Sequence, residues 1–399
     1  MSGIAPAVGN VALREEPVLD TVRVLGALAV LTTHVAFWAG AYPEYPLLAR
    51  LDVGVAIFFV LSGFLLSRPW FEAATSGRQR PPIGRYLQRR FLRVFPAYAV
   101  TAVLALAFIR DNADLGATDW LTTLLLLDIY VSGGPPAGLT QMWSLATEVA
   151  FYLALPMLML LTIGKGALRS RRALSALAAY ALLAPAWVIL APRLPLPADL
   201  PLYEWLPALL IWFAAGMYLA LAQTRSTAGD HPSAASPSRV RLILASPGVS
   251  WTLVLAIMLV ASTPVAGPTM LAAPTPAEIV TKVLLYSAVG FLVVGSGIFP
   301  DRDSRYVRLM SLPRLRHLGH ISYGIFLIHL PVLHLVVWIS GYELFTGAFW
   351  ALWCSTIALS VVGAELLYRL VERPAMGLRS SPTPRTSVDA KPDSATMTR

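Results

Sequence analysis

About ten stretches of this chain are almost wholly apolar and close to twenty residues long, and nothing else in the sequence limits its fold as strongly. A helix rises ~1.5 Å per residue and the hydrocarbon core of a bilayer is ~30 Å thick, so ~20 such residues cross it once. Charged residues make up 13% of the 399 residues, about half the ~25% usual in soluble domains. Lipid is therefore the main solvent, and ten spans leave only short connections with no room for a sizeable soluble domain. The spans are predicted at Leu19–Ala39, Leu51–Trp70, Phe91–Ile109, Met142–Ile163, Ala173–Leu190, Trp205–Ala222, Leu242–Ser262, Ile279–Ile298, Leu318–Ile339 and Gly347–Val371.

Charge sets the orientation. Arg68, Arg78, Arg80, Arg85, Arg89, Arg90 and Arg93 crowd the connection after the second span, and loops rich in Lys and Arg stay in the cytoplasm. The first two spans then go out and back. The apolar segment 120–131 is short. If it crossed, Lys165, Arg169, Arg171 and Arg172 would fall outside. A re-entrant or interfacial segment keeps them inside, and protein cover makes such a segment tolerable at membrane depth. The expected fold is all-α: a polytopic membrane protein with about ten transmembrane helices, one short re-entrant or interfacial segment, and both termini cytoplasmic. Residues 1–18 read as a flexible tail, 19–371 as the transmembrane domain, and 372–399, rich in Pro, Ser and Thr, as a disordered cytoplasmic tail.

The net charge of +9 comes mostly from Arg in these short loops. It marks topology, and no nucleic-acid partner is expected. The single cysteine, Cys354, rules out an intramolecular disulfide. No GxSxG, Walker loop, HExxH or CxxC pattern is present, so no metal is expected.

Ionisable side chains deep in a span are costly and are functional candidates by default. His34 and Arg23 lie eleven residues apart in the first span, which places them on one helix face ~16 Å apart along the axis. A single anionic ligand with a long thin arm could touch both. Glu148 lies ~9 Å below the outer surface, as His34 does, so it could orient or charge-tune that imidazole. Arg90 and Arg93, three residues apart, share a face at the inner start of the third span and suit phosphate. Each has a plainer reading: a hydrogen-bonded packing histidine, a helix-packing glutamate, an ordinary stop-transfer signal. Trp143 and Ser144, taken singly, read as packing or capping residues.

Five segments together resemble the bacterial acyltransferase-3 family. LDTVRVLGALAVLTTH carries Arg, ten residues, then His. GVAIFFVLSGFLL resembles the second-span motif, and RRFLRVFPAY the Arg-x-x-Arg motif followed by Pro. MWSLATEVAFYLALP and LGHISYGIFLIHLPV resemble the Trp-Ser-Leu…Glu…Phe-Tyr and late Ser-Tyr…His segments. They occur in the family's order over about residues 19–332. Ala56 stands where many members carry Asp.

The resemblance implies a multi-pass enzyme of the bacterial plasma membrane. It would transfer an acyl group, commonly acetyl, from acetyl-CoA or another acyl-CoA. The acceptor would be a sugar hydroxyl on an extracytoplasmic glycan, a glycolipid such as a trehalose mycolate, or an antibiotic sugar. His34 would be the catalytic base or nucleophile and Glu148 its functional partner. Arg23, Arg90 and Arg93 would hold the donor, and Trp143, Ser144 and His329 would contact the acceptor. The expected partners are acyl-CoA, the acceptor and membrane lipids. The rival expectation is a transporter or flippase of lipid-linked sugars in which His34 and Glu148 relay protons, although no inverted repeat is visible.

Overall fold

The computed structural model describes residues 16–166, 168–227 and 238–378. Among the described residues every regular element is helical. We label the long helices α1 (Val18–Trp38), α2 (Val53–Thr75), α3 (Ile83–Phe108), α4 (Met142–Ile163), α5 (Ser170–Leu190), α6 (Leu206–Thr227), α7 (Pro247–Ala261), α8 (Pro276–Ile298), α9 (Pro313–Ser340) and α10 (Phe349–Leu367). Nine helices among the described residues are long and apolar enough to cross a membrane. The tenth candidate is a bent pair, Arg239–Ala245 followed by α7, turned through 96°. The span expected over Leu242–Ser262 is therefore broken rather than straight. Pro247 has no N–H to continue the first helix and is well suited to start the second, and Ser246 before it is forced out of the helical region.

Segment 120–131 does not form a helix of spanning length. It holds the helix Ala117–Leu124, then a reversal at Leu126 (φ 58°) and one turn, Asp128–Val131. The Thr123 hydroxyl donates to Asp128 Oδ1 at 2.9 Å, which holds the reversal closed.

Contacts between loops sort the chain into two ends. Arg80 donates to the Gly164 carbonyl, and Glu16 takes a bond from Gln223 and lies near Arg302. At the opposite end Phe345 N–H donates to the Trp38 carbonyl, Trp205 to that of Ile129, and Arg50 to that of Gly267. The first end carries most of the loop arginines. We call it the basic end.

Helix α2 is the hub. Its core contains Phe59, Phe64 and Phe71, all fully buried. Gly54 and Gly63 let neighbouring backbones touch it. A Cβ at Gly54 would collide with the Gly26 carbonyl of α1, and one at Gly63 with the Phe213 carbonyl of α6. Small residues at such contacts are the usual route to tight helix packing in lipid. Leu153, Met157, Leu182, Trp350 and Val362 point outward as the apolar surface such a protein shows to lipid.

The N- and C-terminal boundaries differ from the sequence expectation. Glu16 is already tied to Gln223. Beyond α10 the chain continues through a π-helical turn, Tyr368–Glu372, into the helix Arg373–Gly377. Glu372, read from sequence as the first residue of a disordered tail, is 1% exposed and paired with Arg93 at 2.6 Å. A long-range ion pair fixes it, and no local pattern announces one. Residues 1–15 and 379–399 lie outside the described residues.

Candidate active site

Two cavities penetrate the bundle from its two ends. The inner cavity, about 230 Å³, is lined by Arg23 from α1, Ser62 from α2, Arg90 and Arg93 from α3, Ser144 and Glu148 from α4, and Tyr323 and Phe326 from α9. A more open vestibule of about 340 Å³ at the basic end shares Arg23, Leu65 and His320 with it. The inner cavity thus reaches the basic end of the protein.

The spacing of the arginines brings them together. Arg90 and Arg93 are one turn apart on α3, and Arg23 approaches from α1. Two of the three have direct carboxylate partners: Arg23 pairs with Asp20 at 2.5 Å and Arg93 with Glu372 at 2.6 Å. The Arg93 guanidinium also lies 5.6 Å from the Tyr323 ring centre. Among the described residues Arg90 has no direct ion pair or hydrogen bond, and its buried Nε is unpartnered. Glu148 takes a hydrogen bond from the Ser62 hydroxyl and one from Tyr152, and lies in the field of Arg90 and Arg93. The site is a cluster of forked cations held in place by carboxylates, with one guanidinium left for an incoming anion. That chemistry fits a phosphate or another polyanion.

The outer cavity, about 430 Å³, is lined by Thr33, His34 and Phe37 of α1, by Tyr42, Arg50 and Asp52 of the following connection, by Gln141 and Trp143 at the head of α4, and by Lys282 of α8. The connection Pro264–Thr275 roofs it with Pro268, Met270 and Pro274. Lys282 pairs with Asp52 at 2.6 Å, and the Tyr286 hydroxyl donates to the same carboxylate. Aromatic faces beside mixed donors and acceptors are suited to a polyhydroxylated ligand.

His34 has a histidine for a partner. Its Nδ1 lies 2.8 Å from the Val30 carbonyl and 3.1 Å from Nε2 of His329, which is fully buried. His329 Nδ1 lies 2.7 Å from the Phe326 carbonyl. A carbonyl only accepts, so both Nδ1 atoms carry hydrogen. His329 Nε2 is then bare and accepts from His34 Nδ1–H. The consequence falls on the far side of the ring, where His34 Nε2 keeps its lone pair. Any proton it takes is steadied through Nδ1–H by two acceptors.

The structure groups the sequence candidates differently from the sequence reading. Arg23, Arg90, Arg93 and Glu148 share the inner cavity, while His34 lines the outer one. Glu148 is hydrogen-bonded to Ser62 and Tyr152, and His34 to Val30 and His329, so no hydrogen bond joins Glu148 to His34. Trp143 lines the outer cavity, but Ser144 faces the inner one and donates to the Gln141 carbonyl at 3.0 Å. Consecutive helical residues diverge by ~100°, which separates them. His329 lines neither cavity and stands behind His34. Asp52, Gln141, Lys282 and Glu372 were not singled out from sequence. The first three sit near span ends, where a polar residue is unremarkable. Ala56 is buried, with its carbonyl oxygen near Gly290 of α8, and lines neither cavity. No cluster of three or more potential metal ligands occurs among the described residues.

Comparison with known proteins gives one family. A family model described as an acyltransferase domain, acyltransferase 3, matches residues 17–369. Acyltransferase MdmB of Streptomyces mycarofaciens is 28% identical over 410 residues, covering 95% of this chain and 96% of MdmB. YrhL of Bacillus subtilis, provisionally named a peptidoglycan O-acetyltransferase, is 27% identical over 91% of this chain and 56% of its own length. Peptidoglycan O-acetyltransferase OatA of Listeria monocytogenes is 29% identical over 36% of this chain and 24% of its own. No solved structure matches. With the family match over nearly its whole length and its set of spanning helices, the chain belongs to the acyltransferase-3 family and is a multi-pass protein of the bacterial membrane.

Proposed function

We propose that this acyltransferase moves an acyl group from acyl-CoA, bound from the cytoplasm, to a sugar hydroxyl presented on the outer side of the membrane. The observation that carries this reading is the division of the site. The candidate base His34 opens to one end of the bundle, and the arginine cluster opens to the other. The arginine-rich end is assigned to the cytoplasm by the charge bias of its loops, which puts both termini there.

In this reading Arg90 receives the donor's phosphates, with Arg23 and Arg93 beside it. The pantetheine arm runs along α1, whose ~16 Å between Arg23 and His34 suits that arm. The acceptor lies in the outer cavity against Trp143, within reach of Asp52, Gln141 and Lys282. His34 Nε2 takes the proton of the acceptor hydroxyl, and the oxygen attacks the thioester carbonyl. The C–O bond forms, the C–S bond breaks, and the departing thiolate takes the proton from His34. Ester and free CoA are the products. The position of His34 in the acceptor cavity favours the general base over the nucleophile. The names of the relatives YrhL and OatA, which specify peptidoglycan O-acetylation, support a glycan-type acceptor.

The test is His34→Gln, which keeps a hydrogen-bonding side chain but cannot act as a base. Protein in nanodiscs receives acetyl-labelled acetyl-CoA and an envelope glycan and lipid extract. Loss of a general base lowers the rate by about 10²–10⁴-fold, and donor binding is unchanged. Near wild-type labelling by His34→Gln would refute the assignment.

A further inference from the structure

The two cavities have one lining residue in common, Val55 of α2. The inner cavity is also lined by two aromatic rings, Phe58 of α2 and Phe326 of α9, packed edge to face with centroids 5.9 Å apart. Both rings are braced from behind. Phe58 lies over Gly26 of α1, where an added Cβ would come within 3.3 Å of its ring tip. Phe326 lies 6.0 Å from the His329 ring, and its carbonyl takes the His329 Nδ1–H bond at 2.7 Å. The level is also marked on α1. Arg23 lines the inner cavity, Gly26 backs Phe58, and Val30 and His34 line the outer cavity. The change from one cavity to the other therefore takes place within two turns of a single helix.

We propose that Val55, Phe58 and Phe326 form a side-chain septum that admits the acyl end of the donor to His34 and sets the length of acyl chain transferred, with acetyl as the favoured group. This rests on the reading that the donor occupies the inner cavity. In this proposal the passage is closed by three apolar side chains, so the opening can widen by small rotations. The rings cannot swing far. Phe58 is stopped by α1, and the Phe326 ring packs between the Phe58 and His329 rings. A thioester carbonyl with one methyl needs the smallest opening of any acyl donor. Each added methylene must be fitted between the rings, and apolar sites of this kind discriminate a single methylene by about 10–200-fold. The same apolar plug keeps water from the inner cavity away from the thioester during transfer, which limits hydrolysis.

The experiment uses full-length protein in nanodiscs with acetyl-, propionyl- and butyryl-CoA and an envelope extract as acceptor, reading acyl incorporation and CoA thiol release. Wild type should favour acetyl over butyryl by at least about 10-fold, a conservative figure for two methylenes. Val55→Ala and Phe58→Leu should raise the butyryl-to-acetyl ratio by about 10-fold while competition by free CoA is unchanged. Val55→Ala removes only two methyl groups, so it carries the test if Phe58→Leu fails to insert. Wild type that transfers butyryl as fast as acetyl would overturn the septum. So would an inserted, CoA-binding Val55→Ala that keeps the wild-type ratio. Wild type that transfers no acyl group from any CoA thioester would instead overturn the donor reading, and the septum with it.

Discussion

The inner and outer cavities differ in how they handle charge. In the inner one, Arg23 and Arg93 each have a carboxylate within hydrogen-bond distance, yet among the described residues Arg90 has none and keeps an unpartnered Nε. In the outer one, Lys282 pairs with Asp52, which also accepts from Tyr286, Arg50 donates to the Gly267 carbonyl, and His34 is backed by His329. An arriving polyanion meets three clustered arginines on the inner side, where Arg90 has no carboxylate within hydrogen-bond distance among the described residues, whereas Arg50 on the outer side donates to the Gly267 carbonyl. On the outer side a neutral hydroxylated ligand would meet the Trp143 and Phe37 rings, the Gln141 amide and the Thr33 hydroxyl. In the proposed reading, the two halves of the acyl transfer are separated by position along α1 and α2, with His34 on the acceptor's side.

The comparison can be broken by substitutions that should affect one cavity and spare the other. After loss of His34, the largest effect is expected at Arg90. Hydrogen bonds to charged groups are worth about 1.5–3 kcal/mol, so Arg90→Gln should raise the KM for acetyl-CoA by about 10–100-fold and leave the KM for acceptor unchanged. Donor affinity should also fall with added salt, less steeply in the variant. Titrations of both substrates measure this; a normal donor KM in Arg90→Gln would reduce Arg90 to a topological signal. Next comes Trp143→Ala, which removes an aromatic wall of the outer cavity. A loss of one to two kcal/mol, about 5–30-fold, should appear in the acceptor KM with donor binding intact. An effect on the donor instead would mean that the two cavities do not divide the substrates.

The smallest effect is a control outside both cavities. Glu204 lies in the connection before α6, and burial pushes its carboxyl up to about 7. The folded protein then holds this proton more tightly than the unfolded chain, whose carboxyl titrates near ~4.3. Its stabilising contribution is complete below the unfolded value and is lost as pH rises through about 7. Thermal unfolding should therefore occur a few degrees lower at pH 8 than at pH 5, and Glu204→Gln should flatten that dependence without changing transfer. An unchanged pH slope in the variant would place the titration elsewhere.

Much of this architecture is legible in the sequence because lipid imposes a simple rule of length and apolarity. Counting cations was enough to keep segment 120–131 from crossing, and the structure gives it only short helices. Pro247 could have signalled the break before α7, but the surrounding apolar run concealed it. For the candidate site, sequence spacing brought Arg23, Arg90, Arg93 and Glu148 forward, but not which of the candidates share a cavity. Depth along a helix can be counted, whereas the neighbour it faces cannot. Equal depth suggested Glu148 for His34, but helix packing gives His34 a histidine from α9 and turns Glu148 to the arginines. Glu372 was hidden for the same reason, since its partner Arg93 is 279 residues away.

Sidedness tests the central claim most directly. Acetyl-CoA does not cross bilayers unaided, so labelled donor can be offered to one face of sealed vesicles from cells carrying the protein. With inside-out vesicles, which in the proposed orientation expose the basic end, acetyl label should pass into the glycan or lipid fraction, and His34→Gln should abolish it. With right-side-out vesicles no label should be incorporated until the membrane is permeabilised. Equal labelling of intact right-side-out vesicles would contradict a donor site on the basic end and an acceptor site opposite it.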